Sequence, residues 1–321
     1  MLQRQGSAHV RAVLLALFVT FLWSTSFVLI KIGLREDIPP LTFAGLRYAL
    51  AFLVLLPLTL LSPARRAVLR RLSAVDWLRL TALGVIYYAI TQGTQFIALD
   101  RLPSATVSLF LNFSAVTIAL LGMVFLKEHL TGWQWVGVAV SLVGAVIYLH
   151  PIGFPAAQAV GVIAVVSGML ANSVSSVLGR AVNRGGALPP LVVTAVSMGI
   201  GVLLMLALGL AVEGWPVLTA QSWLLIAALA LVNTALAFTL WNLALQVLSA
   251  AESSVINNTM LIQIAVLAWL FLGEALDGKA IAGLVLAALG TLLVQLWRAP
   301  GRQALPAIPA RGAEGGDPGA G

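Results

Sequence analysis

Ten apolar runs, each about as long as a lipid bilayer is thick, dominate this chain and leave few folds open to it. They extend roughly over Arg11–Leu34, Pro40–Leu61, Leu78–Leu99, Ser104–Leu126, Trp133–Leu149, Val160–Arg180, Leu191–Val212, Trp223–Leu245, Ala250–Leu272 and Ala280–Leu296. A helix needs about 20 apolar residues to cross the hydrocarbon layer, so the spacing predicts ten crossings. Composition agrees. Charged residues make up 9% of the 321 positions and apolar residues 60%, against about 25% charged in an ordinary soluble domain. Mean hydropathy is +1.03. So few charges cannot cover the surface of a water-soluble globule, and lipid must be the solvent for most of the chain. Turn residues punctuate the connectors, as in Arg35–Pro40, His150–Pro155 and Glu213–Pro216.

The net charge of +7 does not point to nucleic acid, because Lys and Arg fall in short loops between apolar runs. With ten spans, one side of the membrane carries Arg4, Arg11, Arg65, Arg66, Arg70, Arg71, Arg79, Lys127, Arg180, Arg184, Arg298, Arg302 and Arg311. The other carries Lys31, Arg35, Arg101 and Lys279. The positive-inside rule then places both termini in the cytoplasm. The residues Arg4, His9 and Arg11 before an apolar stretch also fit the start of a signal peptide. The run continues to Leu34 without a small-x-small cleavage site, so it is read as the first membrane helix. Residues 298–321, rich in Pro, Gly and Ala, are expected to be a disordered cytoplasmic tail. There is no Cys, which removes disulfides, thiolate chemistry and Cys-ligated metals.

The two halves of the chain match each other. One constant shift pairs Trp77-Leu78 with Trp223-Leu224, Ala98-Leu99 with Ala244-Leu245, Ser108 with Ser254, Asn112 with Asn258, and Phe125-Leu126 with Phe271-Leu272. The same shift pairs Glu128 with Glu274, Gly137 with Gly283 and Gly144 with Gly290, while Pro39-Pro40-Leu41 meets Pro189-Pro190-Leu191 with a slightly larger offset. Residues 1–149 and 150–297 are therefore read as two five-helix repeats. Five is odd, so the second repeat enters the membrane upside down. The expected fold is an all-α integral membrane protein of ten transmembrane helices in two inverted repeats. Inverted repeats are common in secondary transporters, with the substrate near the midplane where the repeats meet; a duplication kept only for packing is the plainer alternative.

The repeated endings Phe125-Leu126-Lys127-Glu128 and Phe271-Leu272-Gly273-Glu274, the segment Trp23-Ser24-Thr25-Ser26-Phe27 with Lys31, and Arg47 early in run two resemble the drug/metabolite transporter superfamily. The similarity is to its EamA-type group of ten helices, and it extends roughly from Val13 to Leu296. It implies a carrier that exports small metabolites such as amino acids or related amphipathic compounds across a bacterial-type inner membrane. Sugars, nucleotide sugars and drugs are the alternative cargoes. The family often has Pro midway along spans four and nine; here Ser114-Ala115 and Met260-Leu261 stand nearby, so no proline kink is expected there. The related small multidrug proteins bind protons on a first-helix Glu, and this chain has no acid between Arg11 and Lys31.

Polar side chains within lipid are costly unless they face a bundle interior or a water-filled cavity. Here they gather on runs one, three, four, six, eight and nine, which are expected to line a central cavity. The candidate substrate-binding residues are Trp23, Ser26, Tyr87, Tyr88, Gln92, Asn112, Asn172, Trp241 and Asn258. Amides supply donors and acceptors, and the aromatic rings suit an amphipathic solute. Against this, Ser and Thr often bond back to their own helix, and Asn or Gln can tie helices together. Asn112 and Asn258, equivalent in the two repeats, are expected at similar depth on opposite sides of the cavity. Two charged residues are candidate charge sites. Arg47 either snorkels to the interface or attracts an anionic group such as a carboxylate. Glu252 either sits at a positive helix N-terminus or forms a proton or cation site at the inner mouth. Glu128 and Glu274 are expected to bond their loops or the next helix. Small residues at every fourth position in runs five and ten mark packing helices.

An intramembrane enzyme would need a nucleophile, base or metal cluster. His9, His129 and His150 all lie at segment ends, and no ligand spacing is present. No GxxxxGK[ST] loop appears, so ATP does not drive transport directly, and nothing in the pattern calls for a cofactor. A channel would show rings of charge, which are not visible. The expected partners are a small-molecule substrate and the bilayer, not nucleic acid; a monomer and a homodimer both fit.

Overall fold

A computed structural model of the chain describes residues 2–126, 129–151, 154–183, 188–248 and 250–296. Among the described residues, ten helices are long and apolar enough to cross a membrane: His9–Arg35, Pro40–Leu60, Ala74–Arg101, Ser104–Leu121 and Gly132–Leu149, then Ala156–Gly179, Pro190–Glu213, Ala220–Leu245, Glu252–Leu272 and Gly278–Leu296. They are numbered spans one to ten. Among the described residues there is no strand. The chain is a multi-pass membrane protein. Glu128 and the residues read as a tail lie outside the described residues.

Local chemistry sets the helix ends. Pro40 and Pro190 open spans two and seven, each after an extended Pro, since a first-turn Pro lacks only an N–H that would be orphaned anyway. Span three starts with a capping box, in which Ser73 and Asp76 each accept the other's backbone N–H at 3.1 Å. Thr131 and Gln134 do the same for span five. Gly273, with φ 69°, closes span nine in the left-handed region that glycine tolerates best. The basic stretch after span two, read from sequence as a loop, holds a short helix Pro63–Arg70 capped by Ser62.

Several of the main helix contacts recur when the halves are exchanged. Spans two and seven pack together, as do four and nine, and five and ten. The contacts of span one with eight and nine have counterparts in those of span six with three and four. The seam between spans five and ten is the closest. Ser141 Oγ donates to Ala287 O at 3.4 Å. A methyl group added at Gly137 would stand 2.7 Å from Gly290 O, and one at Gly283 would stand 2.7 Å from Gly144 O. These two contacts are images of each other, as a two-fold contact requires.

The irregularities repeat as well. Spans three and eight widen into π-helix at Gly84–Gln92 and Leu231–Leu236. Spans four and nine break at Phe113 and Thr259. No proline is involved, so the breaks arise without the kink that the family's Pro would give. At Thr259 the hydroxyl donates to Ile256 O at 2.6 Å, alongside a 3.1 Å bond from its own backbone N–H. Such back-bonding bends helices.

Away from the termini, carboxylates tie the halves together. Glu213 accepts from Leu41 N at 3.0 Å, Thr42 N at 2.8 Å and Thr42 Oγ1 at 2.9 Å, capping span two. Glu274 accepts from Ser104 N at 2.8 Å and Ala105 N at 3.4 Å. It therefore caps span four of the other half, rather than its own loop or the next helix as the sequence suggested. In both cases a carboxylate meets the positive end of a helix.

Candidate functional site

A cavity of about 250 Å³ lies between the halves, midway along the spans. Its wall comes from spans one, two, three, four, six, eight and nine. The six polar-rich spans all contribute, and span two joins them through Arg47 and Tyr48. The wall includes four pairs of equivalent positions: Ser26 with Asn172, Tyr87 with Asn233, Gln92 with Phe238, and Leu111 with Asn257. The π segments and the breaks border this space. A widened turn shifts every later side chain around the helix axis and leaves backbone groups to be satisfied locally. Thr91 Oγ1 reaches back five residues to Ile86 O at 2.9 Å, and Thr234 Oγ1 to Leu229 O at 2.9 Å.

One side of the cavity is polar. Tyr48 donates its hydroxyl to Gln92 Oε1 at 2.7 Å. Arg47, 4% exposed, donates Nε to Thr234 Oγ1 at 3.0 Å. Its guanidinium lies 5.2 Å from the Tyr48 ring and 5.9 Å from the Phe96 ring, within the range of cation–π attraction. The other side is aromatic and aliphatic. Trp23 stands 5.4 Å from Phe238, and Met260, Leu261 and Ile264 complete the wall. Amides pin the spans around this space. Asn172 Nδ2 donates to Ser114 Oγ at 3.1 Å. Asn233 Nδ2 donates to Thr25 Oγ1 at 3.0 Å and also to Leu22 O.

The structure brings Trp23, Ser26, Arg47, Tyr87, Gln92, Asn112 and Asn172 together in the wall. Ser26 sends its hydroxyl back to Trp23 O at 2.7 Å. Four of the sequence candidates are elsewhere. Tyr88 is buried and borders a second cavity of about 190 Å³, beside Ser175, Ser176, Thr194 and Ser197. Trp241 packs its ring behind Trp23 at 5.2 Å. Glu252 pairs with His9 at 3.0 Å at the ends of spans nine and one. Asn258 does not face Asn112 across the cavity. Asn112 Nδ2 donates directly to Asn258 Oδ1 at 2.5 Å, and Asn258 also accepts from Thr291 at 3.0 Å and donates to Ala288 O at 2.8 Å. The broken helices bring the two amides into contact, and the neighbour Asn257 reaches the wall instead. Lining residues absent from the candidates include Tyr48, Gln95 and Phe238. Repeat symmetry could have found Phe238, the counterpart of Gln92, and the hydroxyl of Tyr48 beside Arg47 in an apolar run was the signal for Tyr48. Among the described residues no group of three His, Asp or Glu could hold a metal.

Ten spans around a cavity of mixed polar and apolar lining define a multi-pass helical membrane protein with a solute-sized cavity at its centre. Two segments, residues 10–149 and 159–296, match the EamA-like transporter family. The chain belongs to that family. The resemblance seen in the sequence motifs is thereby borne out. A relative from Chlamydia trachomatis serovar L2, an S-adenosylmethionine/S-adenosylhomocysteine transporter, is 35% identical over 138 residues, covering 43% of this chain and 41% of that protein. The chain thus spans about two fifths of that relative's length. A protein of the same description from Chlamydia muridarum is 27% identical over 82% of this chain and 85% of its own. A probable amino-acid metabolite efflux pump of Escherichia coli K12 is 29% identical over 42% of each chain. A solved crystal structure, 22% identical, shares the fold with a TM-score of 0.63 over 89% of this chain and 97% of that one.

Proposed function

We propose that the protein is a secondary carrier that exports amino acids or related amphipathic metabolites by alternating access. The observation that carries this reading is the cavity itself. It lies midway along the spans, its wall draws on both halves and includes four pairs of equivalent residues, and it is bordered by helices that are widened or broken at matching positions. Such interruptions let one half rock against the other around a fixed site. The mixed wall suits a solute with one polar and one apolar end. The relatives named above are described as a probable amino-acid metabolite efflux pump and as S-adenosylmethionine/S-adenosylhomocysteine transporters, and S-adenosylmethionine is itself an amino-acid derivative. The carrier works in a bacterial-type inner membrane, with the basic helix Pro63–Arg70, Arg71 and Arg79 facing the cytoplasm together with both termini. It is not an enzyme.

The chain contains no cysteine, so a single introduced thiol reports without background. Gln95 lines the cavity on span three. In Gln95→Cys, a membrane-impermeant thiol reagent should label the protein from either face, in right-side-out and in inverted vesicles. Labelling from one face only, under every solute condition, would contradict alternating access.

A further inference from the structure

Arg47 is a buried charge without a counter-charge. It is 4% exposed and lies on span two facing the central cavity. Every described carboxylate stands in the terminal turn of a span or beyond it, and neither ion pair found among the described residues includes Arg47. A guanidinium offers five N–H donors in a rigid fork. One of them, at Nε, is bonded to Thr234, and no hydrogen bond from the two terminal nitrogens is formed among the described residues. The two aromatic rings beside Arg47 soften the burial but do not neutralise it.

Packing does not account for the residue. The offset that pairs Pro39 with Pro189 pairs Arg47 with Ser197. There the fold accepts a small hydroxyl that donates to Val193 O at 2.6 Å, within its own helix. The same helix position in the other repeat thus needs no long side chain and no charge. Positive charge buried near the middle of a membrane, retained without a partner and aimed at a cavity, marks a place where the partner arrives from outside.

We propose that Arg47 is the anion-recognition residue of the cavity and that the transported solute carries a carboxylate. The carboxylate docks on the terminal nitrogens of Arg47, where a two-pronged hydrogen bond matches the fork. The remainder of the solute then extends toward Trp23 and Phe238. This inference rests on the carrier reading and names the chemistry of its substrate as anionic or zwitterionic, with an apolar side group.

The test uses the full-length protein in proteoliposomes and two series of labelled probes. One comprises L-phenylalanine and L-leucine, and the other their carboxamides, with flux into protein-free liposomes subtracted. The wild type should exchange the acids faster than the amides by about tenfold or more, the factor expected when a charge-assisted pair is lost. Arg47→Gln should abolish that preference, and Arg47→Lys, which keeps the charge but not the fork, should restore part of it. Because the charge has no counter-charge among the described residues, Arg47→Gln should melt close to the wild type, whereas removing one member of a buried structural ion pair would be strongly destabilising. Equal exchange of acids and amides by the wild type, or a preference that survives Arg47→Gln, would overturn the inference and leave the carrier standing. An Arg47→Gln protein melting well below wild type would overturn it as well. Exchange of neither series would overturn the inference and the carrier reading together.

Discussion

Gly144→Val is expected to give little or no folded protein. In lipid, helices gain no hydrophobic stabilisation by pairing, so association relies on close van der Waals contact and interhelical hydrogen bonds. Spans five and ten achieve that contact backbone against backbone. A methyl at Gly144 would collide with Ala287 N and stand 2.6 Å from Gly283 O. Neither atom can rotate aside, so the whole seam must open. Overpacking typically costs about 1–3 kcal/mol where side chains can adjust, and the cost here should exceed that range. Size-exclusion profiles and thermal melting in detergent read the outcome. Gly132→Ala and Gly278→Ala are the controls, since nothing lies within 4 Å of a methyl at either position. A Gly144→Val protein that melts with the wild type would show that the two helices do not meet as described.

The second large effect separates the paired asparagines. Sequence symmetry gives Asn112 and Asn258 equal roles, but their bonding differs. Asn258 makes three hydrogen bonds, with Asn112, Thr291 and Ala288. Asn112 makes one, and its Oδ1 is buried without a partner. Asn258→Ala should therefore destabilise the protein by about 2–3 kcal/mol, the sum of several modest intramembrane hydrogen bonds. Asn112→Ala should cost less than about half of that. Asn112 lines the cavity and Asn258 does not, so Asn112→Ala should reduce transport per folded molecule more than Asn258→Ala does. Melting temperatures together with transport normalised to folded protein test both parts. Equal melting losses would show that the bonding asymmetry has no energetic weight.

Much of the architecture is legible in the sequence because the bilayer allows so few solutions. A chain with apolar runs of membrane length must form helices, and the landmarks from Trp77 to Gly144 reveal the repeat without a structure. Small residues at every fourth position likewise announce the seam of spans five and ten. The site is legible only as a set of spans. Trp23, Arg47, Tyr87, Gln92, Asn112 and Asn172 stand out as polar or aromatic residues in apolar surroundings, and the structure places them around one cavity. Which of two adjacent residues faces inward cannot be read from a regular helical period, because the period is interrupted where it matters. The π turn separates Tyr87, which borders the central cavity, from Tyr88, which does not. The break at Thr259 hands the wall to Asn257 and leaves Asn258 bonded to Asn112. Glu274 reaches a helix far away in sequence, and such a partner is a property of the packing of the halves.

Counter-flow most directly tests the claim that this protein is a carrier. Purified protein would be reconstituted in liposomes preloaded with an unlabelled amino acid, and a trace of the same labelled compound added outside, across a panel of amino acids. A carrier predicts transient accumulation of label above its equilibrium level, saturable and absent from liposomes that were not preloaded. Label that only approaches equilibrium, at the same rate with or without preloading, would contradict alternating access and describe a pore.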